Sequence, residues 1–167
     1  MPITIRKWTT DDIHSLAKYA NNINIWNNLR NYFPHPYTEE QAKAWIERVV
    51  DEVPIVSLAI DLDGEAIGGI GLILNSDVYM YSAEIGYWIG EPFWGQGIAT
   101  EAIRQMIDYT FYYFDIVRIY AEVFENNKAS MRALEKNGFY LEGVRRKSVF
   151  KNNTLMDDYI WVKLRPY

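Results

Sequence analysis

The sequence predicts an α+β domain, of mixed α/β type, whose central sheet is mostly antiparallel and is flanked by helices. Three observations support this prediction. The 167 residues suffice for one domain that buries roughly 70% of its unfolded surface. Strand-like and helix-like apolar patterns follow in the order β-α-α-β-β-β-α-β-α-β-β, which implies one right-handed parallel crossover. No linker or repeat interrupts them, so we expect residues 1–167 to form a single domain.

The N-terminal elements are a strand, a helix and an irregular segment. Residues 3–5 are predicted as a short strand, and Thr10 or Asp11 as the cap of a helix that ends near Tyr19. Asparagine is frequent over residues 21–31. Because asparagine favours turns and caps, this segment is predicted as a loop or a broken helix.

A second helix begins after Thr38. Thr38 and Gln41 have the spacing of a capping box, in which each side chain accepts the backbone N–H of the other. The apolar face of this helix comprises Ala42, Trp45, Ile46 and Val49.

The rest of the chain is predicted as strands and helices separated by turn residues. Strands are expected at 55–60, 66–74, 80–89 and 117–124, and helices at 98–114 and 128–136. The first hairpin turns at Asp63-Gly64, and the chain ends in a second hairpin, 140–150 and 155–164, which turns around 151–153.

Charge and residue usage exclude several classes of function. The 17 basic and 22 acidic residues give a net charge of −5, which argues against a nucleic-acid surface. Cysteine is absent and the only histidines are His14 and His35, so neither a disulfide framework nor a metal centre of thiolates or clustered histidines is expected. No apolar segment is long enough to cross a bilayer. We therefore expect a protein of the reducing cytoplasm with no membrane or nucleic-acid partner.

The segment AEIGYWIGEPFWGQGIAT, residues 83–100, carries the main signal for a ligand. A strand leads into Gly95-Gln96-Gly97, which opens a helix. The two glycines let the backbone curl, and the helix N-terminus adds free N–H groups, so together they form an anion site suited to phosphate.

Three kinds of phosphate-binding site are compared for this turn. A P-loop is excluded because no Lys-Ser/Thr follows Gly97. A dinucleotide site has Glu125 near the expected acidic position but too little chain for further β-α-β units. A coenzyme A site is the third alternative.

Several motifs together resemble the GNAT N-acetyltransferases, in particular the branch that acetylates the N-termini of ribosomal proteins. The resemblance extends from Ile3 to Leu164, and its specificity comes from the order and spacing of the motifs. The matching segments are EIGYW at 84–88, WGQGIATEA at 94–102, NKAS at 127–130, LEKNGF at 134–139 and FPHPYT at 33–38.

This resemblance implies that acetyl-CoA is the cosubstrate and assigns the residues that bind it. The coenzyme pyrophosphate is expected at the backbone amides of Gln96, Gly97, Ile98, Ala99 and Thr100. Pantetheine is expected to pair with the edge of the preceding strand at Tyr87, Trp88 and Ile89, as an added strand. Gly86 in that strand is expected to mark a bulge or a close backbone approach. Asn127 and Ser130 are expected near pantetheine, and the 3′-phosphate has candidate partners in Arg104, Lys128 and Arg132.

The catalytic residues are predicted from the chemistry. Acetyl transfer needs a neutral amine, and hence a base that removes its proton. Glu84 is the first candidate base and Glu122 the second, on the two strands expected to flank the thioester. Many GNAT enzymes have a tyrosine general acid where this chain has Leu134. His35 is a further candidate for the base or for the lining of the acceptor cleft.

The predicted activity is acetyl transfer from acetyl-CoA to a primary amine. The acceptor is either the α-amine of a peptide or protein, or a small amine. Because the chain lacks cysteine and shows no Ser-His pair, direct transfer within a ternary complex is expected. A non-catalytic module that binds or senses acyl-CoA is the alternative function. The protein is expected to be a monomer or a homodimer.

Overall fold

One seven-stranded sheet organises residues 2–167, the part of the chain that this computed structural model describes. The apolar alternation along each segment produces strands much as predicted. The strands are β1 (Ile3–Lys7), β2 (Ser57–Leu62), β3 (Glu65–Leu74), β4 (Ser82–Ile89), β5 (Arg118–Phe124), β6 (Tyr140–Lys151) and β7 (Thr154–Leu164).

Five α-helices lie against this sheet in the described part of the chain. They are α1 (Ile13–Ala20), α2 (Ile23–Trp26), α3 (Glu39–Val49), α4 (Ile98–Tyr113) and α5 (Lys128–Lys136). The predicted capping box is confirmed, because Thr38 Oγ1 accepts the N–H of Gln41 and Gln41 Oε1 accepts the N–H of Thr38. Short 3-10 turns at Thr10–Asp12, Asp77–Tyr79 and Glu91–Phe93 complete the elements.

The start of the first predicted helix needs correction, whereas one of the two alternatives for the asparagine-rich segment is confirmed. A 3-10 turn replaces the predicted first helical turn, and neither Thr10 nor Asp11 is the cap. Thr9 has that role, since Asp12 folds back and accepts the N–H of Thr9 at 2.9 Å. The asparagine-rich segment contains the short helix α2, because Asn22 Oδ1 accepts the N–H groups of Asn24 and Ile25. Of the two predicted alternatives, a loop or a broken helix, this segment is therefore a broken helix.

Strand limits differ from the predicted ones by a few residues, for local reasons. β2 starts at Ser57 because the Glu52 carboxylate accepts the N–H groups of Val56 and Ser57. β4 starts at Ser82 because a 3-10 turn occupies the preceding residues. Both hairpins turn where predicted, and Asn152 and Asn153 have the positive φ angles, 53° and 56°, that a tight two-residue hairpin turn requires.

The strand order confirms the predicted mixed and mostly antiparallel class. The sheet runs β1-β2-β3-β4-β5-β7-β6, and every neighbouring pair is antiparallel except β4 and β5. The connection between these two parallel strands is α4. A dinucleotide-binding fold needs several parallel crossovers, so this topology excludes that alternative.

Apolar residues cover both faces of the sheet. Helices α4 and α5 pack on one face, where Ala102, Ile103 and Met106 are completely buried. Helices α1 and α3 pack on the other, around Leu16 and Ile46. Alternate residues of one strand enter opposite cores, because side chains along a strand alternate in direction. None of the helices in residues 2–167 has the length and apolarity needed to span a bilayer.

The sheet opens between its two parallel strands. β4 and β5 pair only from Ser82 opposite Arg118 to Glu84 opposite Tyr120, and beyond Glu84 the two strands separate. β3 holds β4 along its full length on one side, and β7 holds β5 on the other. The predicted splay is therefore confirmed. The bulge expected at Gly86 is not present, since Gly86 pairs in regular register with Gly71.

Candidate active site

A cavity of about 490 Å³ passes through the opening between β4 and β5. On one face of the sheet it is lined by the N-terminal turn of α4 and by α5. On the other face it is lined by Ile25, Asn28 and Leu29, around α2. Gly86 and Glu122 lie on the walls formed by the two strands. Residues from both faces of the sheet thus line the cavity, and its volume is in the range of small-molecule sites.

The glycine turn has the backbone conformation that an anion site requires. Gly95 and Gly97 have φ angles of +74° and +78°, which side chains other than glycine rarely adopt. Gly97 caps α4, and its carbonyl accepts the N–H of Glu101. The N–H groups of Ile98, Ala99 and Thr100 therefore precede the first helical hydrogen bond, and these residues line the cavity. The helix dipole favours negative charge at this point.

The segment of β4 expected to bind pantetheine has a free edge. Tyr87, Trp88 and Ile89 lie beyond the last β4–β5 pair, and all three line the cavity. Trp94 Nε1 donates to the carbonyl oxygen of Ile89 at 2.7 Å. The carbonyl oxygen of Ile89 therefore already accepts one hydrogen bond, and it is less available to a ligand than the other backbone groups of this segment.

Two hydroxyl groups meet inside the cavity, on the α5 side. The Tyr87 hydroxyl oxygen lies 2.5 Å from Ser130 Oγ. Burial raises the pKa of Tyr87 to about 12, and the Ser130 contact opposes this increase. Asn127 caps α5, where its Oδ1 accepts the N–H of Ser130 at 3.3 Å. Asn127 and Ser130 both line the cavity, so Asn127 has a capping role as well as the predicted position.

The basic side chains divide into those that line the cavity and those that do not. Arg132, one of the predicted candidates, lines it together with Lys136, which the sequence analysis did not single out. Arg104 lies exposed on α4 and is paired with Glu101 and Asp108 at 2.7 and 2.9 Å. Lys128, the remaining candidate, has its Nζ over the ring of Tyr159, 5.2 Å from the centroid.

Glu84 is buried and held by an arginine from the α2–α3 segment. Arg30 Nη2 donates to both carboxylate oxygens of Glu84, at 2.7 and 2.9 Å. Burial raises the pKa of Glu84, although Arg30 partly offsets the effect. Glu84 is only 9% exposed and, unlike its neighbours Ile85 and Gly86, it does not line the cavity.

Glu122, in contrast, lies on the cavity wall and is held between two arginines. Its Oε2 accepts from Arg30 at 2.8 Å, and its Oε1 lies 2.7 Å from Arg145 Nη2. The same nitrogen of Arg145 donates to Asp158 at 2.6 Å. Burial raises the pKa of Asp158, and its other oxygen, Oδ1, has no hydrogen-bond partner within residues 2–167.

A buried lysine fixes the segment that carries Arg30. Lys151, at the tip of β6, is 3% exposed and has no salt bridge to a carboxylate of the described chain. Its ammonium donates to the carbonyl of Leu29 at 2.7 Å and to Asn31 Oδ1 at 2.9 Å, and it lies 3.3 Å from the centroid of the Trp26 ring. Burial lowers the pKa of Lys151. The final hairpin therefore orders the loop beside the cavity.

Several predicted residues lie outside the cavity lining. The Gln96 side chain turns back to the carbonyl of Pro92 at 3.3 Å, so only its backbone faces the turn. His35 is exposed, 6.0 Å from Trp26 between ring centroids, and it is not among the lining residues. Leu134, at the position where the resemblance implies a tyrosine in many GNAT enzymes, is completely buried in the core.

Besides Lys136 in the cavity lining, sequence reasoning missed four charged residues beside the cavity: Arg30, Arg145, Lys151 and Asp158. Arg30 has no local signal, because its loop has no periodic pattern. Lys151 is indistinguishable from any turn lysine in the sequence. Asp158 had a usable signal, since it shares the inward face of β7 with Met156 and Val162. A carboxylate at such a position needs a buried partner, which could have indicated a functional group.

Comparison with known proteins identifies the family. The model of the acetyltransferase (GNAT) domain matches residues 3–140, most of the chain. The chain belongs to the GNAT acetyltransferase family. The predicted resemblance, the fold and the N-acetyltransferase class are thereby confirmed, and the predicted cosubstrate, acetyl-CoA, is the acetyl donor of this family.

Relatives and solved structures agree with this GNAT assignment. YjcK of Bacillus subtilis is 38% identical over 104 residues, which are 62% of this chain and 58% of that protein. The match thus spans a little more than half the length of YjcK. The L-amino acid N-acetyltransferase AaaT of Escherichia coli is 24% identical over 98% of both chains. The structure of Mycobacterium smegmatis RimJ in complex with a CoA-disulfide is similar in fold, with a TM-score of 0.86, 21% identity, and coverage of 97% of this chain and 81% of that one.

Replacement of Gly97 by alanine tests the glycine turn of this GNAT domain. A Cβ at Gly97 meets no protein atom within 4 Å, so Gly97→Ala is expected to cost only about 1–3 kcal/mol of backbone strain. The strained turn displaces the amides that are predicted to hold the pyrophosphate, and coenzyme A affinity measured by calorimetry should fall. Gly64→Ala is the matched control, because Gly64 also has a positive φ, 89°, and open surroundings, but lies in the β2–β3 turn. Equal affinities for the two folded variants would contradict this assignment.

Replacement of Lys151 by methionine tests the buried ammonium. Lys151→Met leaves the Leu29 carbonyl and the Asn31 amide oxygen without their donor, which is expected to cost about 1–3 kcal/mol. Urea unfolding measures this loss. Lys43→Met is the control, since the Lys43 side chain is 64% exposed and its nearest carboxylate is 3.9 Å away. Similar stabilities of the two variants would show that Lys151 does not anchor the loop.

Proposed function

We propose that this protein transfers the acetyl group of acetyl-CoA directly to a primary amine, at the opening between β4 and β5. The observation that carries the proposal is the cavity through the sheet, which has an anion-binding turn on one face and the Glu122 carboxylate on the other. Two substrates can enter such a cavity from opposite faces and meet without a covalent enzyme intermediate. Holding them together makes the attack effectively unimolecular.

The α4 side is proposed to bind the donor. The amides of Gly97, Ile98, Ala99 and Thr100 receive the pyrophosphate, and the free edge of β4 at 87–89 receives the pantetheine amides as an added strand. Arg132 and Lys136 line the same end of the cavity and supply positive charge for the coenzyme phosphates. This arrangement directs the thioester toward the opening in the sheet.

Glu122 is proposed as the group that receives the acceptor amine and takes its proton. Both Glu84 and Glu122 are candidates by residue type, but geometry favours Glu122 because it alone of the two lines the cavity. Glu84, buried beneath Arg30, is proposed to orient that arginine and through it Glu122. A base must lie within reach of the proton that it removes. Access to the cavity therefore counts before pKa in the choice between Glu84 and Glu122.

The reaction consists of one bond exchange. The nitrogen lone pair attacks the thioester carbon, the C–N bond forms and the C–S bond breaks. The proton lost from nitrogen passes to Glu122 and from there to solvent, and the leaving sulfur takes a proton from the Tyr87–Ser130 hydroxyl pair, which regains one from solvent. That pair lies in the cavity and supplies the proton that the missing tyrosine at position 134 does not. Acetyl-CoA is a cytoplasmic metabolite, so we place the reaction in the cytoplasm.

Substitution of the two glutamates distinguishes their proposed roles. Glu122→Gln removes the proton acceptor and is expected to lower kcat by about 100-fold near neutral pH. Glu84→Gln is expected to have a smaller effect, because a glutamine still accepts from Arg30. Glu142→Gln is the control, an exposed β6 carboxylate paired with Arg118, and should match wild type. A larger loss for Glu84→Gln than for Glu122→Gln would transfer the role of base to Glu84.

Initial-rate kinetics tests direct transfer. Rates measured while both substrates are varied should give intersecting double-reciprocal lines, as expected for a ternary complex. Because the chain has no cysteine, a thiol reagent reports only released coenzyme A. Parallel lines, or an acetylated protein in the absence of amine, would indicate a covalent intermediate. If the protein binds acetyl-CoA but releases no coenzyme A with any amine tested, the alternative function, a non-catalytic acyl-CoA-binding module, is supported instead.

A further inference from the structure

A second cavity adjoins the first on the face opposite α4. Its volume is about 320 Å³, and Glu122 lies on the wall of both cavities. The lining comes from the Arg30 segment, from β5 and from the hairpin of β6 and β7. An acceptor whose amine reaches Glu122 from this side has the rest of its atoms in the second cavity. The composition of that cavity therefore bears on the class of acceptor.

Two arginines that line this cavity have hydrogen-bond donors that no group of residues 2–167 uses. Arg30 and Arg145 both line it, and each is held to its carboxylates through a single nitrogen, Nη2. Within residues 2–167, the Nε and Nη1 groups of both arginines have no hydrogen-bond partner. The carboxylates fix the guanidinium groups while leaving the remaining N–H groups free. Guanidinium groups bind carboxylate and phosphate oxygens with paired N–H donors.

The remaining lining sets the charge of the cavity. Lys151 adds a third positive charge, although its own donors are all directed to the loop and to Trp26. Glu122 and Asp158 are the two acidic lining residues, and Glu84, outside the lining, is paired with Arg30, so three carboxylates balance the three basic groups. Phe124, Val149 and Phe150 supply apolar surface. The cavity thus combines a carboxylate at its inner end with positive donors and apolar walls farther out.

The irregular backbone of β6 contributes to this arrangement. The register of β6 against β7 shifts between Arg145 and Val149, and Lys147 within the shift has a φ of +52°. Bulges of this kind redirect neighbouring side chains and are frequent beside functional sites. Here Arg145, Ser148 and Val149, at and within the shift, all line the cavity.

We propose that the second cavity is an anion-binding subsite for the acceptor, so that the acceptor is a primary amine with its own carboxylate or phosphate group. This inference rests on the proposed function for the position of the amine at Glu122. The anion binds between the free N–H groups of Arg30 and Arg145. An amine without an anionic group leaves those donors to water, because the side chains of Arg30 and Arg145 are 42% and 50% exposed, and it lacks the charge-assisted hydrogen bonds that an anion forms with them.

Matched acceptors test the subsite by activity. Phenylalanine, phenylalaninamide and phenethylamine share one side chain and differ in the anion. We expect kcat/KM for phenylalanine to exceed that for the other two by about 10-fold or more, since charge-assisted hydrogen bonds to the anion are lost in both. β-Alanine and 2-aminoethyl phosphate, compared in the same assay, show whether carboxylate or phosphate is the preferred anion. Equal or better use of the amide and the plain amine would overturn the proposal.

Arginine variants test whether the preference comes from this cavity. Arg145→Gln should reduce the acid-to-amide ratio of kcat/KM by about 10-fold or more, while Arg146→Gln should keep it. Arg146 is a suitable control because it is adjacent in sequence, has the same charge, and is 75% exposed in a pair with Asp157. An unchanged ratio in Arg145→Gln would overturn the assignment of the anion site.

A binding measurement separates this inference from the proposed function. N-acetylphenylalanine and its amide are titrated by calorimetry into the wild-type protein and into Arg145→Gln, both in the presence of coenzyme A. Tighter binding of the acid, lost in Arg145→Gln, supports the subsite even if no amine is acetylated. Equal binding of acid and amide overturns the subsite even if acetyl transfer to other amines is observed.

Discussion

The separation of β4 from β5 is the constraint on which the rest of the site depends. The two parallel strands share only the pairs from Ser82 to Glu84 before they diverge. Each strand stays ordered because its other neighbour, β3 or β7, pairs along its length. The opening therefore exposes strand edges whose N–H and C=O groups need partners, which a peptide-like ligand can supply. It also allows a cavity to pass from one face of the sheet to the other.

Charge pairing organises the acceptor face around this opening. Arg30 and Arg145 alternate with Glu84, Glu122 and Asp158, so that each partly buried carboxylate contacts a guanidinium group. Removing one member would leave the others buried without compensation, and the network is therefore a single unit. It brings together a loop from the first half of the chain and the final hairpin. Lys151 completes the link by binding the same loop through its carbonyl groups and an indole ring.

The two ends of the site differ in how well local sequence encodes them. The backbone of the glycine turn was predicted in detail, because a glycine turn followed by a helix determines its own conformation. Gly95 and Gly97 have the positive φ angles that the pattern implies. The acceptor end was not predicted beyond Glu84 and Glu122. Glu122 lines the cavity and Glu84 does not, and both carboxylates are bound by Arg30. Arg30 is 54 positions away from Glu84 in the chain.

The sequence by itself determined the elements, the turns and the anion-binding helix start of this protein. These features depend on periodicity and on the conformational limits of glycine and asparagine, which act over a few residues. Only the tertiary structure decided which charges meet. Arg30, Glu122, Arg145, Lys151 and Asp158 come from four separate segments, and their pairing is set by strand order and by the bulge in β6. Electrostatic interactions depend on distance in space and on burial, and neither quantity is contained in the spacing of residues along the chain.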